Sequence, residues 1–144
     1  MCTEGHTHWG RRGAAGLLVA EAGRALLQLR AVWVHSGGTW SVPGGAREPG
    51  EDAVTSALRE AHEELGLAGE QVEVRGSHVA VCGGWTYETV LAVPRQRLVV
   101  INLPESAEHA WVPAPEISGL DLHHAFRRAW EDASTGLQGF VGAS

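Results

Sequence analysis

Residues 45–67 read GAREPGEDAVTSALREAHEELGL, and the interpretation of the whole chain turns on this stretch. After Glu51, the apolar residues Val54, Leu58, Ala61 and Leu65 recur at i, i+4, i+7 and i+11, the spacing of an amphipathic helix. The pattern predicts a helix over 51–65, ended by Gly66, with that stripe turned toward a sheet. At about 100° per residue, Glu60, Glu63 and Glu64 share an arc of roughly 100° on the opposite side. Carboxylates at i, i+3 and i+4 repel one another by roughly 0.2–0.5 kcal/mol per pair. A helix selected for stability alone would interleave lysines, and the chain contains none.

Such a face asks for a counter-charge. Hard oxygen donors at this spacing suit Mg²⁺ or Mn²⁺, which share their sites with water and substrate phosphate. Arg59 stands four residues before Glu63, close enough along a helix for its planar guanidinium to hold that carboxylate. Upstream, Pro43-Gly44-Gly45 forms a tight loop whose bare backbone can approach a metal or a phosphate.

Outward from the helix, residues 13–20 and 24–34 read as two apolar strands about a turn at residues 21–23, and 40–42 as a short extended piece. Residues 72–81 and 87–93 read as strands around Gly83-Gly84, with further strands at 97–103 and 108–112. Residues 122–133 form a second amphipathic helix, with Leu122, Phe126, Ala129 and Trp130 at i, i+4, i+7 and i+8. Strands mixed with helices, without strict alternation, predict an α/β sandwich over a mixed sheet. The 144 residues, 44% hydrophobic, suffice for one domain, expected over 10–135 between flexible tails at 1–9 and 136–144.

The charge excludes other classes. Net charge is −6, and every base is arginine, which disfavours duplex nucleic acid as a partner. Six acids and two arginines between Gly45 and Leu67 supply −4 of that −6. No apolar run approaches the ~18 residues of a membrane span, and the polar, His-rich start lacks the apolar core of a secretory signal. Two cysteines, Cys2 and Cys82, make no disulfide framework, so a reducing cytoplasm is the expected location.

Gly45, five residues, Glu51, seven residues and then Arg59-Glu60-Ala61-His62-Glu63-Glu64-Leu65-Gly66-Leu67 resembles an intact Nudix box, the signature of the MutT-like pyrophosphohydrolases. All seven fixed positions match, a coincidence of order 10⁻⁸ at ~7% frequency per position; Ala61 is smaller than the aliphatic residue usual at its place. Gly38-Thr39-Trp40-Ser41-Val42-Pro43 is similar to the family's approach strand, and Trp111-Val112-Pro113 with Pro115-Glu116-Ile117 to its C-terminal strand and short helix. The resemblance implies the Nudix fold, an α/β/α sandwich around a mixed sheet. It also implies hydrolysis of a nucleoside diphosphate linked to another group, with Mg²⁺ or Mn²⁺ as cofactor. Carried over, Glu60, Glu63 and Glu64 would be metal ligands, with the Gly45 carbonyl. Arg59 would orient them, and Glu51 would pair with Arg59 or an outer-shell water. The general base would be Glu60, or a loop acid near the C-terminal strand, where Glu105 and Glu108 sit.

Substrate recognition is less sharply written. Trp33, Trp40, Trp85 and Tyr87 lie near turns or beside the box, and one of them is expected to stack on a nucleobase, a contact of ~1–3 kcal/mol. Gly44 is expected against the substrate. Trp111, Trp130 and Cys82 read as core, His6 and His8 as tail, and His123 and His124 as surface. A nucleoside triphosphate, plain or oxidised, is the leading substrate. ADP-ribose or another sugar nucleotide is the runner-up: the resemblance implies proline about sixteen residues past the box in ADP-ribose-cleaving relatives and tyrosine there in dinucleoside-polyphosphate hydrolases, and Gly83 at that place carries neither mark. A non-catalytic nucleotide sensor is the rival of another class, a homodimer is an open expectation, and messenger-RNA decapping is disfavoured by the charge.

Overall fold

The computed structural model describes residues 13–33, 37–82, 85–104 and 106–144. Ala14–Glu21 (β1) and Arg24–Arg30 (β2) form a hairpin across Ala22 and Gly23, both at positive φ, as a right-twisted two-residue turn requires. Trp40–Ser41 (β3) pairs with β2, and Gly44–Ala46 (β4) pairs with the start of β1. Ala53–Leu65 (α1) follows, then the long hairpin of Val72–Cys82 (β5) and Trp85–Pro94 (β6). Ser106–Pro113 (β7) pairs antiparallel with β2, and Ala114–Ile117 (α2), His124–Glu131 (α3) and Leu137–Ala143 (α4) complete the chain.

The sheet runs β3-β2-β1-β6-β5, with β4 on β1 and β7 on β2; β1 and β6 are parallel, which makes it mixed. Each face carries its own core. Leu17, Val19, Leu26, Val90 and Ala92 meet Ala53, Ala57, Ala61 and Leu65 of α1. On the other face Leu18, Leu27 and Val112 meet Ile117, Phe126, Trp130, Leu137 and Val141. Helix, sheet and helices thus form three layers, the expected sandwich. Among the described residues, no helix is long and apolar enough to cross a membrane.

Three expectations change. Residues 97–103 are not a strand. Leu98 and Val100 pack on the α1-side core while Val99 and Ile101 face outward, so the alternation is real. Their backbone instead serves a helix end: the amides of Ile101 and Leu103 donate to the carbonyls of Leu65 and Glu64 at 3.1 Å, groups that a helix C-terminus leaves unpaired. Residues 136–144 are not a flexible tail but contain α4, anchored by Leu137 and Val141, both fully buried. Three glycines in that segment masked its i, i+4 apolar pair. His123 is not a surface residue: it is 3% exposed and caps α3, its Nδ1 accepting from the Ala125 amide. The tail at 1–9, with His6 and His8, lies outside the described residues, as does Glu105, and so do the side chains of Cys82 and Trp85.

Helix α1 ends as the sequence requires. Gly66 takes the left-handed conformation at φ 70°, and its amide closes the helix on the carbonyls of Ala61 and His62. A Cβ here would also sit 2.7 Å from Ile101 Cγ1. Gly66→Ala is expected to cost about 1–2 kcal/mol, for the αL conformation and the forced movement of Ile101. Urea unfolding checks this, and a midpoint equal to that of the unmutated chain would refute it.

Candidate functional site

Helix α1 begins at Asp52, whose carboxylate accepts from the Thr55 amide at 2.7 Å and is thereby held below its ordinary pKa. The cap sets the helix's phase, and the phase decides where its acids point. The side toward the sheet is lined by Ala53, Ser56, Ala57, Ala61, Glu64 and Leu65. Val54, expected inside, is 36% exposed. The reason is size: a face of alanines lets the helix approach the sheet closely, leaving bulkier Val54 and Leu58 at the rim. The same rotation carries Glu64 inward, where it is 2% exposed.

The three box glutamates therefore do not share one environment. The Glu60 side chain is 13% exposed and that of Glu63 54%. Glu64 meets the Glu60 carboxylate on one side and accepts from Gln28 Nε2 of β2 on the other. Burial, reinforced by the neighbouring Glu60, pushes the Glu64 carboxyl up to about 9. A buried carboxylate beside a second one favours added positive charge, which the nearby Arg30 and the Arg59 bonded to Glu60 offset too little to bring Glu64 back to its ordinary range.

Arg59 gathers the remaining acids. Its guanidinium takes Glu51 in two bonds of 2.8 and 3.0 Å and reaches Glu60 and Glu63 at 3.1 Å each. It also meets Glu48 at 3.2 Å and the Ala46 carbonyl at 3.3 Å. The Arg59–Glu63 pair is the one the spacing predicts, and the Arg59–Glu51 pair is one of the two partners the resemblance implies for Glu51. Glu51, accepting from Arg59, falls to about 2, and Arg59 rises in return. Arg47 extends the frame, donating to the Glu51 carbonyl at 3.0 and 3.3 Å. An open recess of about 320 Å³ beside this cluster is lined by Arg47, Glu48, Gly50, Glu51 and Asp52, whereas a larger one of about 470 Å³ lies remote from it at the β1–β2 turn.

The glycine loop fits against these acids. A Cβ on Gly45 would lie 2.7 Å from Glu60 Oε2, so only glycine lets the β4 backbone come so near that carboxylate. Gly44 is buried, and a Cβ there would strike the Ala15 carbonyl at 2.6 Å, so glycine at this place allows the close β1–β4 pairing.

Among the described residues, no three His, Cys, Asp or Glu side chains are gathered closely enough to hold an ion as they stand. Arg59 is the cation that Glu51, Glu60 and Glu63 share. The donors nevertheless fit a hard divalent ion: two carboxylate groups in contact, one of them buried at a high pKa, beside a backbone with no side chain in the way.

The other expected site residues separate. Tyr87 is buried, 4% exposed, on the sheet face away from α1, its hydroxyl 2.6 Å from where a Gly16 Cβ would be; its pKa is raised by burial and by the Glu64 charge. It is core and presents no stacking surface. Trp40 is half-buried against the α3-side core, its amide donating to the Asp121 carbonyl at 2.8 Å. Trp33 is 65% exposed just after β2. Glu108 is exposed and opposes Leu29, which also opposes Trp40, so it lies on the sheet face away from α1. Gln28 and Glu48 were not singled out from sequence. Gln28 is legible in retrospect as the lone uncharged polar residue within the apolar strand RALLQLR.

The family profile described as NUDIX domain matches residues 10–133. A Mycobacterium tuberculosis protein with the provisional name 8-oxo-dGTP diphosphatase 3 is 44% identical over 142 residues, 91% of this chain; the chain spans 65% of that protein's length. A Bifidobacterium longum nucleoside triphosphate pyrophosphatase/Nudix hydrolase fusion protein is 37% identical over 139 residues, covering 90% of this chain and 29% of the fusion. The crystal structure of RenU, a Nudix hydrolase from M. smegmatis, superposes with a TM-score of 0.81 at 42% identity, covering 93% of this chain and 90% of that one.

Proposed function

The chain belongs to the Nudix family, and from that premise we propose that it hydrolyses a nucleoside triphosphate, plain or oxidised at its base, to the monophosphate and pyrophosphate. The observation that carries the reading is the Glu60–Glu64 pair set against the bare backbone of Gly45. Nudix hydrolases generally need a divalent metal, and Glu60 and Glu64, with Gly45, would hold Mg²⁺ or Mn²⁺ here. Once bound, the ion supplies charge neutralisation at the phosphates and a lowered pKa for water. The protein's part is positioning, which is most of what phosphoryl transfer asks of an enzyme. Arg59 keeps Glu51, Glu60 and Glu63 from swinging away, and Glu63, the most exposed of the three, stands at the open rim. Glu60 is favoured as general base over Glu108, because it lies among these acids while Glu108 lies across the sheet.

The name of the M. tuberculosis relative supports an oxidised guanine nucleotide as substrate. Incubating the chain with 8-oxo-dGTP, dGTP, the other triphosphates and ADP-ribose, each with Mg²⁺, tests this. The expected products are a nucleoside monophosphate and pyrophosphate, fastest from 8-oxo-dGTP. Release of a sugar phosphate from ADP-ribose with triphosphates untouched would replace the substrate. Tight nucleotide binding without turnover across the panel would make the domain a sensor.

A further inference from the structure

Gln28 is the one polar side chain, apart from the flanking arginines, in a strand whose other members are leucine and alanine, and it is fully buried. Its Nε2 donates to Glu64 Oε1 across 36 residues of sequence, from β2 to α1. Its own Oε1 has no hydrogen-bond partner among the described residues. Stability does not account for this arrangement. A buried amide with an unpaired acceptor is a cost, which leucine at this place would remove. The cost falls on Gln28 Oε1, while the donor of the same amide serves one carboxylate, that of Glu64.

We propose that Gln28 is a positioning residue for Glu64: by occupying one carboxylate oxygen it turns the other toward Glu60 and the Gly45 backbone, where a divalent cation would be held. The inference rests on the Nudix reading given above. A neutral donor suits the task better than a cationic one. Lysine or arginine would fix the carboxylate but also neutralise it, and so compete with the metal ion; an amide orients the group and leaves its charge to be used. The register supports the placement, since Gln28 lies directly opposite Ser41 on one side and His109 on the other, a layer braced by strands on both flanks. His109 is itself held, Nδ1 against Asn102 Oδ1 at 2.8 Å. Asn102 lies between Ile101 and Leu103, the residues bonded to the end of α1, so strand and helix are tied at both levels.

The test is Gln28→Met, which keeps volume and removes the donor, with Glu64→Gln as reference. Mn²⁺ binding to the nucleotide-free protein is followed by electron paramagnetic resonance of the free ion, beside melting in EDTA and steady-state kinetics. Gln28→Met is expected to weaken Mn²⁺ binding about 10-fold or more and to lower kcat by a similar factor. KM for the nucleotide should stay within about twofold, and melting in EDTA should be unchanged or higher. Wild-type Mn²⁺ affinity with wild-type kcat in Gln28→Met would overturn the role of Gln28 while leaving the Nudix reading intact. A loss confined to melting temperature and KM would likewise make Gln28 a merely structural residue. If the unmutated protein binds no Mn²⁺ and Glu64→Gln changes nothing, the metal-site reading fails and this inference fails with it.

Discussion

Glu64→Gln is expected to lower turnover by roughly three orders of magnitude while leaving the metal-free protein more stable than before. The activity loss follows from removing a ligand: metal assistance contributes several kcal/mol of charge stabilisation, at ~1.4 kcal/mol per factor of ten in rate. The gain in stability follows from burial. Glu64 is 2% exposed, with Glu60 as its neighbour, and its carboxyl is pushed from the ordinary 4.5 up to about 9. Between those values the folded protein keeps a proton that the unfolded chain has released. Its contribution to stability is therefore complete below pH 4.5 and declines as pH rises through 9. A neutral glutamine abolishes that decline. Melting curves in EDTA from pH 5 to 9 should fall for the unmutated chain and stay flatter for Glu64→Gln. Added Mg²⁺ should raise the melting temperature at pH 8 in the first and not in the second. Equal slopes, or turnover within tenfold, would show that Glu64 is not the buried ligand described.

The second large effect belongs to Arg59→Met. The guanidinium is 25% exposed and counterbalances Glu51, Glu60 and Glu63, of which Glu51 and Glu60 are 10% and 13% exposed. Its removal leaves two largely buried carboxylates without their partner, a loss of about 2–3 kcal/mol, reduced from the fully buried case by the remaining solvent. At roughly 3–5 °C per kcal/mol for a chain of this size, melting should drop visibly. Turnover should fall about 100-fold, because carboxylates free to swing by an ångström no longer present one geometry. The acid limb gives an independent reading. Arg59 holds Glu51 at about 2, against an ordinary 4.5, so the unfolded chain takes up the proton first. Glu51 thus contributes stability that is present above pH 4.5 and lost as pH falls toward 2. That loss should be steep in the unmutated protein and shallow in Arg59→Met; profiles of the same steepness would refute the Arg59–Glu51 assignment.

Much of this site could be read along one helix. Arg59, Glu60, Glu63 and the cap that begins the helix lie within 13 positions, and a period of about 3.6 places them relative to one another without knowledge of the rest. The pairing of Arg59 with Glu63 follows from that geometry; Glu51 precedes the cap, and its pairing with Arg59 was implied only by the family resemblance. Contacts between elements are what the helix alone does not encode. The direction of Glu64 depended on how closely α1 could lie on the sheet, which small Ala53, Ala57 and Ala61 decided against the larger Val54 and Leu58. Tyr87 and Glu108 read as site residues because strand parity, set by pairing with β1 and β2, is invisible until the register is known. Residues 97–103 alternate like a strand and pair with a helix end, because alternation reports burial of side chains and says nothing of where backbone amides are satisfied.

Residue spacing by itself determined the helix that carries the acids and placed Arg59 against Glu63, since both are local properties repeated over a few turns of chain; the family was legible only through the resemblance of residues 45–67 to the Nudix box. Only the tertiary structure decided that Glu64 is buried while Glu63 is open, that Gln28 reaches it from another element, that Gly44 packs and Gly45 yields room, and that the last helix is anchored in the core by Leu137 and Val141. Those outcomes depend on the distance between surfaces carried by different elements, and no period within a single element encodes a distance between two.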